Sequence, residues 1–315
     1  MTGFSVELRG VGVTFDRPAL QDVDLTLAPG VVHGLLGRNG SGKTTLLSLL
    51  AAFRRPTRGT VLVDGEDPFE NERVLEGTCF VRESGDVIDD EDVKTNLDFQ
   101  VGMRPGFDRD YAERLLDDFE VPLRTKVEQL SRGQRSAVGA SIGLAARAPL
   151  TILDEVYLGM DAPSRYRFYQ ELLADYADHP RTVVLSSHLI GELDRVLEQV
   201  TILHRGGVLL TDTTESLQTR GSTLTGARTA VDAAVAELSI DVLARTELGG
   251  TSQVTFVGLL SADARTSLRR AGLEVGPVPL QDLFVHLTDR HPAPATPAEP
   301  ARTRPEPHPT EEADR

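Results

Sequence analysis

Residues 37–44 read Gly-Arg-Asn-Gly-Ser-Gly-Lys-Thr, the pattern G-x-x-x-x-G-K-[ST], with an apolar run before it and a helix-like run after it. The pattern constrains folding strongly, because such a loop works only where a strand delivers it and a helix begins at its end. Val31, Val32, Leu35 and Leu36 supply the strand; Thr44 to Phe53, rich in Leu and Ala, supplies the helix. Gly37, Gly40 and Gly42 let the backbone curl, so that successive N–H groups through Arg38, Asn39, Ser41 and on to Thr45 point inward at the helix's positive end. Lys43 adds a point charge that reaches β- and γ-phosphates, and the Thr44 hydroxyl is placed to ligate Mg²⁺. A Gly-rich turn that matches by coincidence is the alternative, and the Lys-Thr pair with both flanks argues against it. The expected ligand is a nucleoside triphosphate.

Charge narrows the partners. With 33 Lys and Arg against 48 Asp and Glu, the net charge is −15, which argues against a general nucleic-acid binder, since phosphate contacts need a basic face. The single cysteine, Cys79, excludes an intramolecular disulfide and fits a reducing cytosol; within Cys79-Phe80-Val81 it reads as a buried, inert thiol. No stretch approaches the roughly 18 apolar residues of a membrane span, and the N-terminus carries no signal-peptide pattern. The chain is therefore expected to be soluble, with any membrane role coming through a partner.

Patterning along the chain predicts an α/β protein. Short antiparallel strands are expected at Val6 to Arg9, Val11 to Phe15 and Val23 to Leu27, and further strands at Thr60 to Val63 and Thr78 to Val81. Residues from about 85 to 135 read as a helical insert, with Leu115, Leu116 and Phe119 on one face and Pro105 and Pro122 as punctuation. A small-residue helix over 134–147 leads to the strand Leu150 to Leu153; then come a helix at 162–177, a strand at 182–185, a helix near 189–197 and a strand at 200–203. Strands alternating with helices imply a mainly parallel sheet covered on both faces, in a domain spanning 1–218. Residues 219–290 read as a small α+β appendage. The proline-rich stretch 291–315 is expected to be disordered, because it cannot bury enough apolar area to offset its ordering entropy.

The strand at 150–153 ends in Asp154-Glu155. An Asp delivered there can hold Mg²⁺ opposite the phosphate loop, while Glu155 points elsewhere and can polarise an attacking water. A strand ending in a polar turn is the structural alternative. Upstream, Leu130-Ser131-Arg132-Gly133-Gln134 precedes the small-residue helix. In this order the motifs resemble the ATP-binding-cassette (ABC) family, whose signature is Leu-Ser-Gly-Gly-Gln, over about residues 4–215. The resemblance implies a P-loop NTPase core with an N-terminal antiparallel β-subdomain and a helical insert. It also implies that Ser131, Arg132, Gly133 and Gln134 serve the γ-phosphate held by another subunit. Ser131 reads equally as a helix N-cap.

The resemblance places further residues. Phe15 stands where the family stacks an aromatic on adenine, and a core Phe is the other reading. Asp161, in Gly159-Met160-Asp161, falls at the D-loop and can also cap the following helix, two compatible roles. His188, after Val183-Val184-Leu185, matches the switch histidine that contacts the γ-phosphate. Glu83 aligns with the family's metal- and water-contacting Gln, a carboxylate in place of an amide. Arg132 replaces the first signature glycine, and Val156 the usual proline after the catalytic Glu.

These positions imply an ATPase with Glu155, His188 and Lys43 as catalytic residues and Thr44, Glu83 and Asp154 around Mg²⁺. They further imply a head-to-tail homodimer, or a heterodimer with a related subunit, sandwiching two ATP molecules. Such a chain would power a separately encoded membrane permease, docked near Glu83 and the helical insert, and would sit at the cytoplasmic face of the membrane. Pro279-Leu280-Gln281-Asp282-Leu283-Phe284 is similar to a closing segment of ABC-2-type exporter subunits, which favours export. Soluble ABC ATPases acting on DNA or ribosomes, and an ATP-sensing regulator, are the competing classes. The acidic charge and single cassette disfavour the first two.

Overall fold

Alternating burial shapes the N-terminal strands. β1 (Val6–Thr14) pairs antiparallel with β2 (Pro18–Leu27) on one side and with β4 (Arg58–Val63) on the other. The computed structural model describes residues 3–83, 86–188, 190–193, 195–258 and 260–289. The segments expected as two strands, 6–9 and 11–15, form one: a register shift between Leu8 and Val11 absorbs the break in alternation, as a β-bulge does.

The second sheet is assembled from across the chain, in the order β5 (Thr78–Arg82), β6 (Leu150–Asp154), β7 (Thr182–Ser187), β3 (Val32–Leu36), β8 (Gln199–His204) and β9 (Gly207–Thr213). Neighbours from β5 to β8 run parallel; β8 and β9 form an antiparallel pair. β3, β6 and β7 are buried at every position, the mark of strands covered on both faces. Successive residues then serve opposite layers. Leu35, Phe80, Ile152 and Val184 face a core shared with the antiparallel strands and with α1 (Lys43–Leu50). Leu36, Val81, Leu153 and Leu185 face a second core, shared with α5 (Arg132–Ala145) and α6 (Ala162–Asp178).

Short polar residues set the insert's helix starts. After the one-turn α2 (Glu72–Glu76), which the sequence reading passed over, α3 (Val93–Met103) is capped by Asp92, and α4 (Arg109–Asp118) by Asp108. Their Leu97, Leu115 and Leu116 are fully buried, and a 3₁₀ turn at Val127–Gln129 leads into α5. The helix expected near 189–197 is corrected: its described residues form a 3₁₀ turn, Ile190–Glu192, followed by further turns. Ile190, Leu193 and Val196 are buried at intervals of three, a spacing that suits the tighter turn as well as a helix.

One buried ionic cluster ties these layers together. Asp175 of α6, whose side chain is 2% exposed, accepts from Arg147 Nε at 3.0 Å and lies 2.8 Å from Arg181 Nη1; Arg147 also reaches Asp108 at 2.8 Å. Replacing Asp175 by Ala would leave the buried Arg181 unpaired. The expected cost is about 3–5 kcal/mol, read as a lowered denaturant midpoint. A midpoint unchanged from the parent chain would show that the cluster contributes nothing to stability.

Past α7 (Thr214–Thr219), a four-stranded antiparallel sheet follows in the order β11 (Val242–Leu248), β12 (Thr251–Val257), β10 (Gly221–Ala227) and β13 (Glu274–Pro277). Its own core joins Leu224, Val254 and Phe256 to Val231 of α8 (Arg228–Glu237) and Leu268 of α9 (Ala262–Arg270). The last described helix, α10 (Leu280–Asp289), bridges two regions: Leu280, Leu283 and Phe284 join the core that holds Ile190, Leu193 and Leu217, while Asp282 accepts from the Thr255 hydroxyl of β12 at 2.9 Å. The stretch 291–315, expected to be disordered, lies outside the described residues, and no described helix is long and apolar enough to cross a membrane.

Candidate nucleotide-binding site

β3 delivers the phosphate loop to the C-terminal edge of the parallel sheet, where the Gly37 amide donates to Ser187 O at 3.3 Å. The chain passes through Gly40 (φ 77°) and Gly42 (φ 107°) and enters α1 at Lys43. Lys43 is 6% exposed. Its Nζ donates to Gly37 O at 2.9 Å and lies 3.2 Å from Glu155 Oε1. Ser41 Oγ is buried with no hydrogen-bond partner among the described residues, a hydroxyl free to meet a phosphate oxygen.

The end of β6 faces this loop. Thr44 Oγ1 donates to Asp154 Oδ2 at 2.7 Å, and the Ser186 hydroxyl donates to Asp154 Oδ1. Burial pushes the Asp154 carboxyl above its ordinary pKa, against the lowering pull of these two hydrogen bonds. Glu155 then leaves the strand in the left-handed region (φ 54°), and its Oε1 lies 3.1 Å from His188 Nδ1. Backbone strain of this kind is retained where the surroundings over-determine it, and here it accompanies a carboxylate set between Lys43 and His188. Five sequence-predicted residues thus meet: Lys43 and Thr44 from α1, Asp154 at the end of β6 and Glu155 just after it, and His188 just after β7.

Ser131, Arg132, Gly133 and Gln134 open α5. Ser131 Oγ accepts from the Gln134 amide at 3.2 Å, and Gln134 Oε1 accepts from the Ser131 amide at 3.1 Å, a complete capping box. The N-cap reading of Ser131 holds, and the box fixes the backbone at the head of the helix. Gly159 packs against that head: a Cβ there would stand 2.7 Å from Arg132 O and would also strike Ser136 Oγ. Asp161 caps α6, accepting from the Ser164 amide at 2.9 Å. Glu83, expected beside the metal, stands one residue past Arg82, the β5 residue opposite Asp154, and pairs with Arg132, whose guanidinium reaches it from the first position of α5.

The ABC transporter family profile matches residues 20–157. The ATP-binding protein YtrB of Bacillus subtilis (strain 168) is 31% identical over 199 residues, covering 63% of this chain and 68% of that protein. The chain belongs to the ABC family. The putative ABC transporter ATP-binding protein AlbC of the same organism is 30% identical over 212 residues, 63% of this chain and 87% of its own length. The solved dimeric post-hydrolysis state of the ATP-binding cassette MJ0796, bound to ADP and Pi, superposes with a TM-score of 0.59 at 24% identity. That match covers 66% of this chain and 98% of the cassette, and shows the shared fold.

For an ABC cassette the triphosphate is ATP, and the residues fit Mg²⁺ as well. The Thr44 hydroxyl and the Asp154 carboxylate are hard oxygen donors already in contact, the ligand type Mg²⁺ takes alongside phosphate oxygens and water. No cluster of three or more His, Cys, Asp or Glu side chains suited to a metal occurs among the described residues, so most ligands would come from the nucleotide and solvent. Phe15 does not belong to the core. It is 49% exposed, with the Arg54 guanidinium 4.3 Å from its ring centre. Cys79 is buried, and burial pushes its thiol pKa up, in keeping with an inert thiol.

Sequence reasoning missed three contributors. Ser186 holds the second oxygen of Asp154, and Tyr157 donates to Ser186 O at 3.1 Å. The third is α10: Gln281, Phe284 and Val285 line a cavity of about 520 Å³ together with Arg38, Asn39 and His188. Ser186 stands two positions before the histidine singled out in the sequence, but no local pattern could signal α10 at this place.

Proposed function

We propose that this chain is the ATP-hydrolysing subunit of an ABC transporter, acting as a head-to-tail pair that drives a separately encoded membrane permease in the export direction. The observation that carries the hydrolytic reading is the placement of Glu155 Oε1 3.2 Å from Lys43 Nζ and 3.1 Å from His188 Nδ1, with Asp154 bound by Thr44 alongside.

In this reading the loop amides and Lys43 hold the triphosphate, and Thr44 and Asp154 hold Mg²⁺, which when bound neutralises charge on the β- and γ-phosphate oxygens. Glu155 accepts a proton from the water that attacks the γ-phosphate in line. His188 fixes the Glu155 carboxylate and contacts the γ-phosphate, and Lys43 stabilises negative charge as it moves to the β–γ bridge. Ser131 and the head of α5 complete the site on the opposite subunit.

Two features support the membrane partner. The helical insert leaves Phe99 and Met103, one turn apart on α3, exposed as an apolar patch on its surface. The segment 279–284, whose resemblance favours export, forms the start of α10 and packs against the cassette core. The net charge of −15 disfavours nucleic acid as the partner. Expressed with its genomic neighbours, the full-length chain should co-purify with a multi-span membrane protein and hydrolyse ATP faster in that complex. Full turnover alone, with no membrane protein captured, would replace the transporter by a soluble machine.

A further inference from the structure

Two departures from the family pattern touch each other. Glu83 follows β5 and Arg132 opens α5, 49 residues further along, so no local geometry imposes their ion pair. The pair lies at the surface, with the Arg132 side chain 71% exposed and that of Glu83 42%. Exposed pairs of this kind are worth at most about fivefold in an equilibrium constant.

The backbone beneath Arg132 is, by contrast, closely held. The Ser131–Gln134 capping box fixes it on one side and Gly159 packs against its carbonyl on the other. The arrangement is a rigid mount carrying a long cation under light restraint. A guanidinium binds phosphate oxygens in a fork, and a triphosphate offers it more charge than one carboxylate.

We propose that Glu83 is a latch for Arg132: the ion pair holds the guanidinium back in the separate subunit, and Arg132 leaves it for the triphosphate on the phosphate loop of a second copy when two chains close. The inference rests on the head-to-tail reading above. β5 and β6 are paired with Arg82 opposite Asp154, so Glu83 stands one residue beyond the edge of its own nucleotide site. The latch therefore joins the edge of one ATP site to the signature helix that serves the other. Glu83 and Arg132 are positioning residues in the separate chain; Arg132 alone touches the nucleotide in the closed pair.

The test uses the full-length chain carrying Glu155→Gln, so that ATP is bound without turnover, and follows ATP-driven pairing by sedimentation velocity. Adding Glu83→Gln should lower the ATP concentration for half-maximal pairing by about two- to fivefold, because the latch is released. Adding Arg132→Gln should raise it by about tenfold or more, and Arg132→Lys by less, since the charge remains but the fork is lost. The double substitution should behave as Arg132→Gln alone. A merely structural pair predicts shifts of the same sign for both single variants, and that result, or no shift in either, overturns the latch. Absence of pairing in the Glu155→Gln chain at any ATP concentration would overturn the head-to-tail reading itself, and the latch with it.

Discussion

Replacing Glu155 by Gln should lower ATP turnover of the full-length chain by at least about a hundredfold, with ATP still bound as tightly as by the parent chain. The substitution keeps the size and planarity of the side chain and removes the group that accepts the proton of the attacking water. Binding survives because the loop amides, Lys43 and Thr44 are untouched. One negative charge beside the triphosphate also disappears. Lys43 and His188 both contact Oε1 of Glu155, so a Gln whose amide oxygen takes that position keeps both contacts and loses the charge alone. Phosphate release under saturating Mg-ATP measures the turnover, and a fluorescent nucleotide titration measures the binding. Phosphate release at the parent rate would remove Glu155 from the mechanism.

Replacing Lys43 by Ala should weaken ATP binding by about ten- to a hundredfold, the range of a lost charge-assisted hydrogen bond, and reduce turnover further. Lys43 is buried where its ammonium balances the Glu155 carboxylate. Without it the triphosphate meets a net negative wall formed by Asp154 and Glu155. Isothermal titration calorimetry of the variant with ATP and Mg²⁺ checks the affinity. An unchanged dissociation constant would mean that the backbone nest alone holds the phosphates. A uniform loss of folded protein, seen as a lowered denaturant midpoint, would instead assign Lys43 a structural role.

The phosphate loop, the β6 carboxylates and the head of α5 were readable because each is a local device. Gly40, Gly42 and Lys43 act within one turn of chain, Asp154 and Glu155 follow a run of apolar residues, and Ser131 and Gln134 bond to each other's amides. The parallel sheet was readable for the same reason, since strand and helix periodicities survive in short windows. Errors arose where one spacing serves two structures. The buried Ile190, Leu193 and Val196 have a spacing that suits a helix, but only 190–192 form a 3₁₀ turn and turns follow; Leu8 to Val11 looked like a strand break where a bulge continues the strand.

Sequence alone thus determined the local devices: a phosphate-loop pattern on a strand-to-helix turn and an apolar strand ending in Asp154-Glu155, each specified by residues within a few positions of one another. Tertiary structure decided who meets whom. It put His188 on Glu155, Ser186 on Asp154, α10 beside Arg38, and Arg132 on Glu83. The physical reason is that these contacts join residues from different strands and helices. Their distances are set by how the layers pack, and no local propensity encodes that.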